Sequence, residues 1–104
     1  MSPLIEKEVA IKLLITGSRG MLGSSVARMA ASNPEIELTL WDRSKVDLLD
    51  TTRVRLLLEE LRPDVIVHAA AKVGGIHANI AHPVEFLAEN QQMDANVLLG
   101  ALHC

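Results

Sequence analysis

Apolar residues gather along this chain in short runs, each stopped by a glycine, a proline or a charge, and their spacing changes from one run to the next. Ala10-Ile11-Lys12-Leu13-Leu14-Ile15-Thr16 is almost continuous and ends at Gly17, which predicts a strand covered on both faces. Beyond a glycine-punctuated turn at 17–23, Val26, Met29 and Ala30 recur at helical spacing until Asn33-Pro34 forbids continuation. Ile36, Leu38 and Leu40 alternate with Glu37, Thr39 and Trp41, the period of a second strand, which stops at Asp42-Arg43-Ser44. Val46-Asp47-Leu48 reads as a short third strand. Asp50-Thr51-Thr52 offers an N-cap, and Val54, Leu57, Leu58 and Leu61 then predict a second helix that Arg62-Pro63 ends. Asp64 to Ala71, apolar but for His68, predicts a fourth strand. After a loop from Lys72 to His82, Phe86, Asn90, Met93, Val97 and Ala101 mark one stripe of a long last helix, with Glu85, Glu89, Gln92 and Asn96 off it.

Alternation of strands and helices in this order is the front part of a doubly wound α/β fold with a parallel sheet. Residues 1–9 form a polar N-terminal extension, and 10–104 form the domain. In such a sheet the last predicted strand lies centrally, and a bare apolar edge invites aggregation. The chain is therefore expected to be the front part of a longer protein.

Composition narrows the function. With 104 residues there is room for one domain, 49% of them are hydrophobic, and ten basic against thirteen acidic residues give a net charge of −3. No basic tract is dense enough to track phosphates, which argues against nucleic acid. No apolar run approaches the roughly 20 residues of a membrane span, and MSPLIEKEVA carries acids where a secretory leader carries bases. A single cysteine, Cys104, forms no internal disulfide, so the cytoplasm is the expected compartment. Four histidines show no metal-ligand spacing with Cys104 or a carboxylate, and no metal is expected.

Thr16-Gly17-Ser18-Arg19-Gly20-Met21-Leu22-Gly23 leaves a strand and opens a helix, the setting of a dinucleotide-binding turn. Gly17 suits the tight turn, Gly20 lets backbone approach a pyrophosphate, and Gly23 lets the helix lie close on the sheet. The helix N-terminus supplies N–H groups and a positive dipole end for the anion. Asp42 stands at the tip of the second strand, where an acid accepts from adenosine ribose hydroxyls. Arg19 and Arg43 argue for a ribose carrying a 2′-phosphate, because guanidinium forks match its oxygens. The balance favours NADP over NAD, the alternative for both arginines being solvated surface charge. Asp47 and Leu48 either bracket an adenine or simply end a strand.

His68-Ala69-Ala70-Ala71-Lys72-Val73-Gly74-Gly75 leaves the carboxyl end of a central strand, where open α/β sheets bind ligands. Small residues there form a second wall of the same cleft. His68 reads as a polar group at the sheet tip. His77 and His82 fall in a loop that faces either solvent or substrate. Asn90, on the apolar stripe, is a buried polar group in need of a partner.

Taken together, ITGSRGMLGS, VDLLD, RPDVIVHAAAKVGGIHAN and the ENQQMDAN segment resemble the GDP-L-fucose synthases, extended short-chain dehydrogenase/reductases of the NAD-dependent epimerase/dehydratase group. The likeness runs from about Ile11 onward. It implies a Rossmann-like fold and an NADP-dependent enzyme that epimerises GDP-4-keto-6-deoxy-D-mannose at two ring carbons and reduces its ketone, with pairing to a second copy. By resemblance, Gly17, Ser18, Arg19, Gly20, Met21, Leu22 and Gly23 hold the pyrophosphate, Arg19 and Arg43 the 2′-phosphate region, and Asp47 with Leu48 the adenine. Ala69, Ala70 and Ala71 line the cofactor, and Val73, Gly74 and Gly75 approach nicotinamide and sugar. Trp41 and Asp42 depart from the basic character of some members.

The family's serine and Tyr-x-x-x-Lys pair have no counterpart here, for the chain contains no tyrosine. Hydride transfer then lacks its acid, and the isolated chain is expected to be inactive. A non-catalytic NAD(P)-binding or interaction module, and the front half of a sister nucleotide-sugar epimerase, dehydratase or reductase, are the alternatives.

Overall fold

A computed structural model describes residues 10–70 and 83–103. Among them lie strands β1 (Ile11–Thr16), β2 (Ile36–Trp41) and β3 (Val65–His68) and helices α1 (Met21–Ala31), α2 (Thr51–Leu61) and α3 (Pro83–Leu102). The strands form one parallel sheet in the order β2-β1-β3. Ile11 to Thr16 pair in register with Ile36 to Trp41, and Leu13 to Thr16 with Val65 to His68.

Because β1 is central, both of its faces are covered, and this is why its sequence is a nearly unbroken apolar run. Leu13 and Ile15 face α1, packing with Ala30, Val26 and Ala27. Leu14 points the other way, toward Val54 and Leu58 of α2 and Val97 of α3. At Gly100, α3 comes so near α2 that an added Cβ would lie 2.5 Å from Leu58 Cδ1. Asp50 caps α2 by accepting from the Arg53 N–H at 3.1 Å, and Arg62 ends it in a left-handed conformation, φ 50°, ahead of Pro63.

The predicted strand at Val46-Asp47-Leu48 does not form. Its alternation is real, since Val46 and Leu48 are buried and Asp47 is exposed, but its backbone is spent on turns. The Val46 N–H reaches the Asp42 carbonyl at 3.1 Å, the Asp50 N–H reaches that of Asp47 at 3.0 Å, and the Leu48 carbonyl accepts from Asn96 Nδ2 at 2.8 Å. Asn96 also accepts from Thr51 and Gln92, so it binds α3 to the start of α2. Met93 and Val97 of the predicted stripe do face inward, and the correction concerns Asn96, read off the stripe but buried beside them together with Gly100. Among the described residues, no helix is long and apolar enough to cross a membrane.

Candidate functional site

A cleft of about 830 Å³ opens at the carboxyl end of the sheet. Its floor is the turn between β1 and α1. Gly17 adopts φ 66°, and the Gly20 N–H closes the turn onto the Gly17 carbonyl at 3.0 Å. An added Cβ separates the three glycines by role. On Gly17 it would lie 2.7 Å from the Ala70 backbone, and on Gly23 2.1 Å from the Gly17 carbonyl oxygen. On Gly20 it would meet, among the described residues, only that oxygen, at 3.3 Å. Packing therefore demands glycine at 17 and 23, whereas no other described residue fills the space beside Gly20. Gly20 is also the N-cap of α1 and carries no side chain to satisfy the first-turn N–H groups, which leaves them available to an anion.

Asp42 rises from the end of β2 and is buried. Its Oδ1 accepts from the Ser44 N–H at 2.8 Å, the Lys45 N–H at 3.2 Å and the Ser44 hydroxyl, while Oδ2 pairs with Arg19 Nε at 3.4 Å. The Ser44 hydroxyl, then the Ser44 N–H, Arg19 and the Lys45 N–H, hold the carboxyl below its usual range against the opposing effect of burial. The acid that sequence reading set against a ribose thus organises the turn and steadies Arg19. A pKa lowered on folding means stability that is present above the ordinary carboxylate value and lost as pH falls through the native one. Asp42→Asn is accordingly expected to flatten the acid limb of the unfolding midpoint below about pH 4. A midpoint profile of the same steepness as the parent's would remove this role.

Arg43 and Asp47 are exposed and line the cleft together with Arg19 and the buried Leu48. Ala69 and Ala70 form the facing wall. Ser18 and Gly23 lie buried outside the lining, whereas Met21 and Leu22 open the helix 91% and 65% exposed and line no part of the cleft. Ala71, Val73, Gly74 and Gly75, with His77, His82 and the 1–9 extension, lie outside the described residues. Sequence reading missed Glu89 and Met93, which reach the cleft from α3, and Trp41, which lines it from the end of β2. Met93 stands on the stripe read from the sequence and only its reach to the cleft was missed, whereas Glu89 was set off that stripe as a polar residue. Among the described residues no group of three or more His, Cys, Asp and Glu can hold a metal ion.

A parallel sheet whose first strand runs through a glycine turn into a helix, with a cleft above it, defines a Rossmann-like nucleotide-binding fold. The model of the NAD dependent epimerase/dehydratase family matches residues 13–104, and the chain belongs to that family. It is 44% identical over 90 residues to a GDP-L-fucose synthase of Azorhizobium caulinodans, covering 86% of this chain and 28% of that protein. A GDP-L-colitose synthase of Yersinia pseudotuberculosis is 41% identical over 91 residues, 88% of this chain and 29% of that one. The chain therefore spans under a third of the length of these curated relatives. Among solved structures, MlghC, a GDP-mannoheptose C4 reductase of Campylobacter jejuni with NADP bound, superposes with a TM-score of 0.81 at 24% identity, over 91% of this chain and 28% of that one.

Proposed function

We propose that residues 10–104 are the NADP-binding front part of a nucleotide-sugar reductase and epimerase of the GDP-L-fucose synthase type, acting on GDP-4-keto-6-deoxy-D-mannose. The observation that carries the cofactor assignment is the cradle at Gly20: a side without a Cβ, at the N-terminus of α1, in a cleft lined by Arg19 and Arg43. The first-turn N–H groups hold the pyrophosphate. Arg43, and Arg19 steadied by Asp42, hold the 2′-phosphate through charge-assisted bonds. Ala69 and Ala70 admit the dinucleotide against the sheet tip because their side chains are small. When bound, NADPH supplies a hydride. This chain contributes binding and orientation, and having no tyrosine it contributes no phenol to protonate the developing alkoxide.

The sugar-nucleotide assignment draws support from the GDP-sugar enzymes among the relatives. The cofactor assignment is tested by titrating NADPH and NADH into the chain and into Arg43→Ala. The variant is expected to lose about ten-fold in NADPH affinity, roughly one charge-assisted hydrogen bond, and to keep NADH within about two-fold. Equal loss of both would take the 2′-phosphate away from Arg43.

A further inference from the structure

Three side chains from three elements form one hydrogen-bonded line beside the cleft. Asp94 Oδ1, on α3, lies 2.7 Å from His68 Nε2, and His68 Nδ1, at the end of β3, lies 2.6 Å from Thr16 Oγ1, at the end of β1. Thr16 is fully buried, the His68 side chain is 20% exposed, and that of Asp94 is 56% exposed. The same Thr16 hydroxyl oxygen accepts from the Ala70 N–H at 3.3 Å, and the Thr16 carbonyl accepts from the Ala69 N–H at 3.2 Å. Ala69 and Ala70 are the cleft wall, and Ala70 lies so close to Gly17 that no Cβ fits between them. One end of the line is thus on the surface, and the other holds the backbone facing the glycine turn.

For a neutral His68 ring, donor counting fixes the direction of the chain. The Asp94 carboxylate only accepts, so Nε2 carries a proton and donates to it. In the neutral ring Nδ1 is then an acceptor, and the Thr16 hydroxyl donates to it. With its hydrogen committed to His68, the Thr16 oxygen turns its lone pairs elsewhere, and one receives the Ala70 N–H. The other neutral tautomer would point Nδ1–H at Thr16 and set a bare Nε2 against the carboxylate. The buried Thr16 hydrogen would lose its acceptor, an expensive arrangement in a dry site.

We infer that Asp94, His68 and Thr16 are a positioning relay: Asp94 selects the Nε2–H tautomer of His68, His68 orients the Thr16 hydroxyl, and Thr16 seats the Ala69–Ala70 wall against Gly17 for the bound dinucleotide. The effect on binding rests on the cofactor assignment above, while the relay itself is a statement about protons and one backbone amide. None of the three side chains lines the cleft, so each acts through another group.

The test uses the full chain, labelled with 15N, and four variants. Long-range proton–nitrogen correlation reads the His68 ring, identified by the signals that vanish in His68→Gln. A pyrrole-type Nε2 and a pyridine-type Nδ1 are expected, and in Asp94→Asn, whose amide can donate as well as accept, the ring is expected to populate both tautomers. Titration with NADPH is expected to show a loss of about ten-fold for Thr16→Val, under two-fold for Thr16→Ser, and about three-fold for the remote Asp94→Asn. The Ala70 amide is expected to exchange faster in Thr16→Val and at the parent rate in Thr16→Ser. An Nδ1–H tautomer in the parent overturns the relay, as does Thr16→Val with parent exchange at Ala70. A link that merely braces the fold would lower the unfolding midpoint of Thr16→Val yet leave its NADPH affinity unchanged while folded, and that result also overturns the proposal. Should the parent itself show no affinity for NADPH, the cofactor assignment falls, and the tautomer and the Ala70 exchange rate alone decide the relay.

Discussion

Gly23→Ala is expected to destabilise the fold by about 3 kcal/mol or more, a large part of the stability of a domain this small. The sign is what makes the result informative. In the first turns of an open helix, replacing glycine by alanine removes backbone freedom from the unfolded chain and stabilises by up to about 1 kcal/mol. At position 23 the new Cβ would sit 2.1 Å from the Gly17 carbonyl oxygen, 2.8 Å from its carbonyl carbon and 3.2 Å from Ser18 Cα. All three are backbone atoms of the turn, and no rotamer change relieves them. The turn cannot retreat freely, because Gly17 is pressed on its other side against Ala70. Either α1 lifts from the sheet, exposing Leu13 and Ile15, or the turn opens. Urea unfolding followed by far-ultraviolet dichroism reads the outcome as a drop in midpoint. A midpoint raised above the parent's would mean that α1 does not lie on the turn as described.

The contrast between positions 17, 20 and 23 also marks how much of the site was legible in the sequence. Three glycines between an apolar run and a helical pattern were enough to locate the turn, because few other uses of the chain need backbone freedom and close approach together. The strands of the sheet were equally legible: β1 is a nearly unbroken apolar run because it is central, and β2 alternates. Period two misled at Val46-Asp47-Leu48, where burial alternates in a pair of turns. Burial sets the pattern of side chains, but hydrogen bonding decides the element, and the Leu48 carbonyl was taken by Asn96 from 48 positions away. The inward face of α3 was read only in part for a related reason, Met93 and Val97 being placed on it and Asn96 off it. Asn96 and Glu89 are polar, and a scan for apolar stripes sets them outside, yet Asn96 is 4% exposed because Thr51, Gln92 and Leu48 satisfy it. Asp42 shows the same limit at the site. Its position was visible, but its commitment to Ser44, Lys45 and Arg19 follows from the path of the chain after β2, which no local signal announces.

Gly20→Val is expected to abolish NADPH binding, with a loss beyond about 100-fold, and to leave the fold in place. Gly20 has φ −71° and ψ 170°, extended backbone that a β-branched residue accepts without strain. Among the described residues its Cβ would meet only the Gly17 carbonyl oxygen at 3.3 Å, a contact that a shift of a few tenths of an ångström relieves. Valine is a poorer N-cap than glycine, which costs about 1 kcal/mol, well short of the clash at Gly23. In the NADP-bound state the argument reverses, since the space beside Gly20 is where the pyrophosphate meets the first N–H groups of α1. Three heavy atoms placed there exclude the anion sterically and shield those N–H groups from it. Gly20→Ala, with a single methyl, is expected to fall between parent and valine variant in affinity. Titration of the two variants alongside a urea midpoint separates the possible causes. Lost affinity with a midpoint near the parent's assigns the cradle to the dinucleotide. Parent-like affinity in Gly20→Val would remove the pyrophosphate from this turn and, with it, the reading of the cleft as a dinucleotide site.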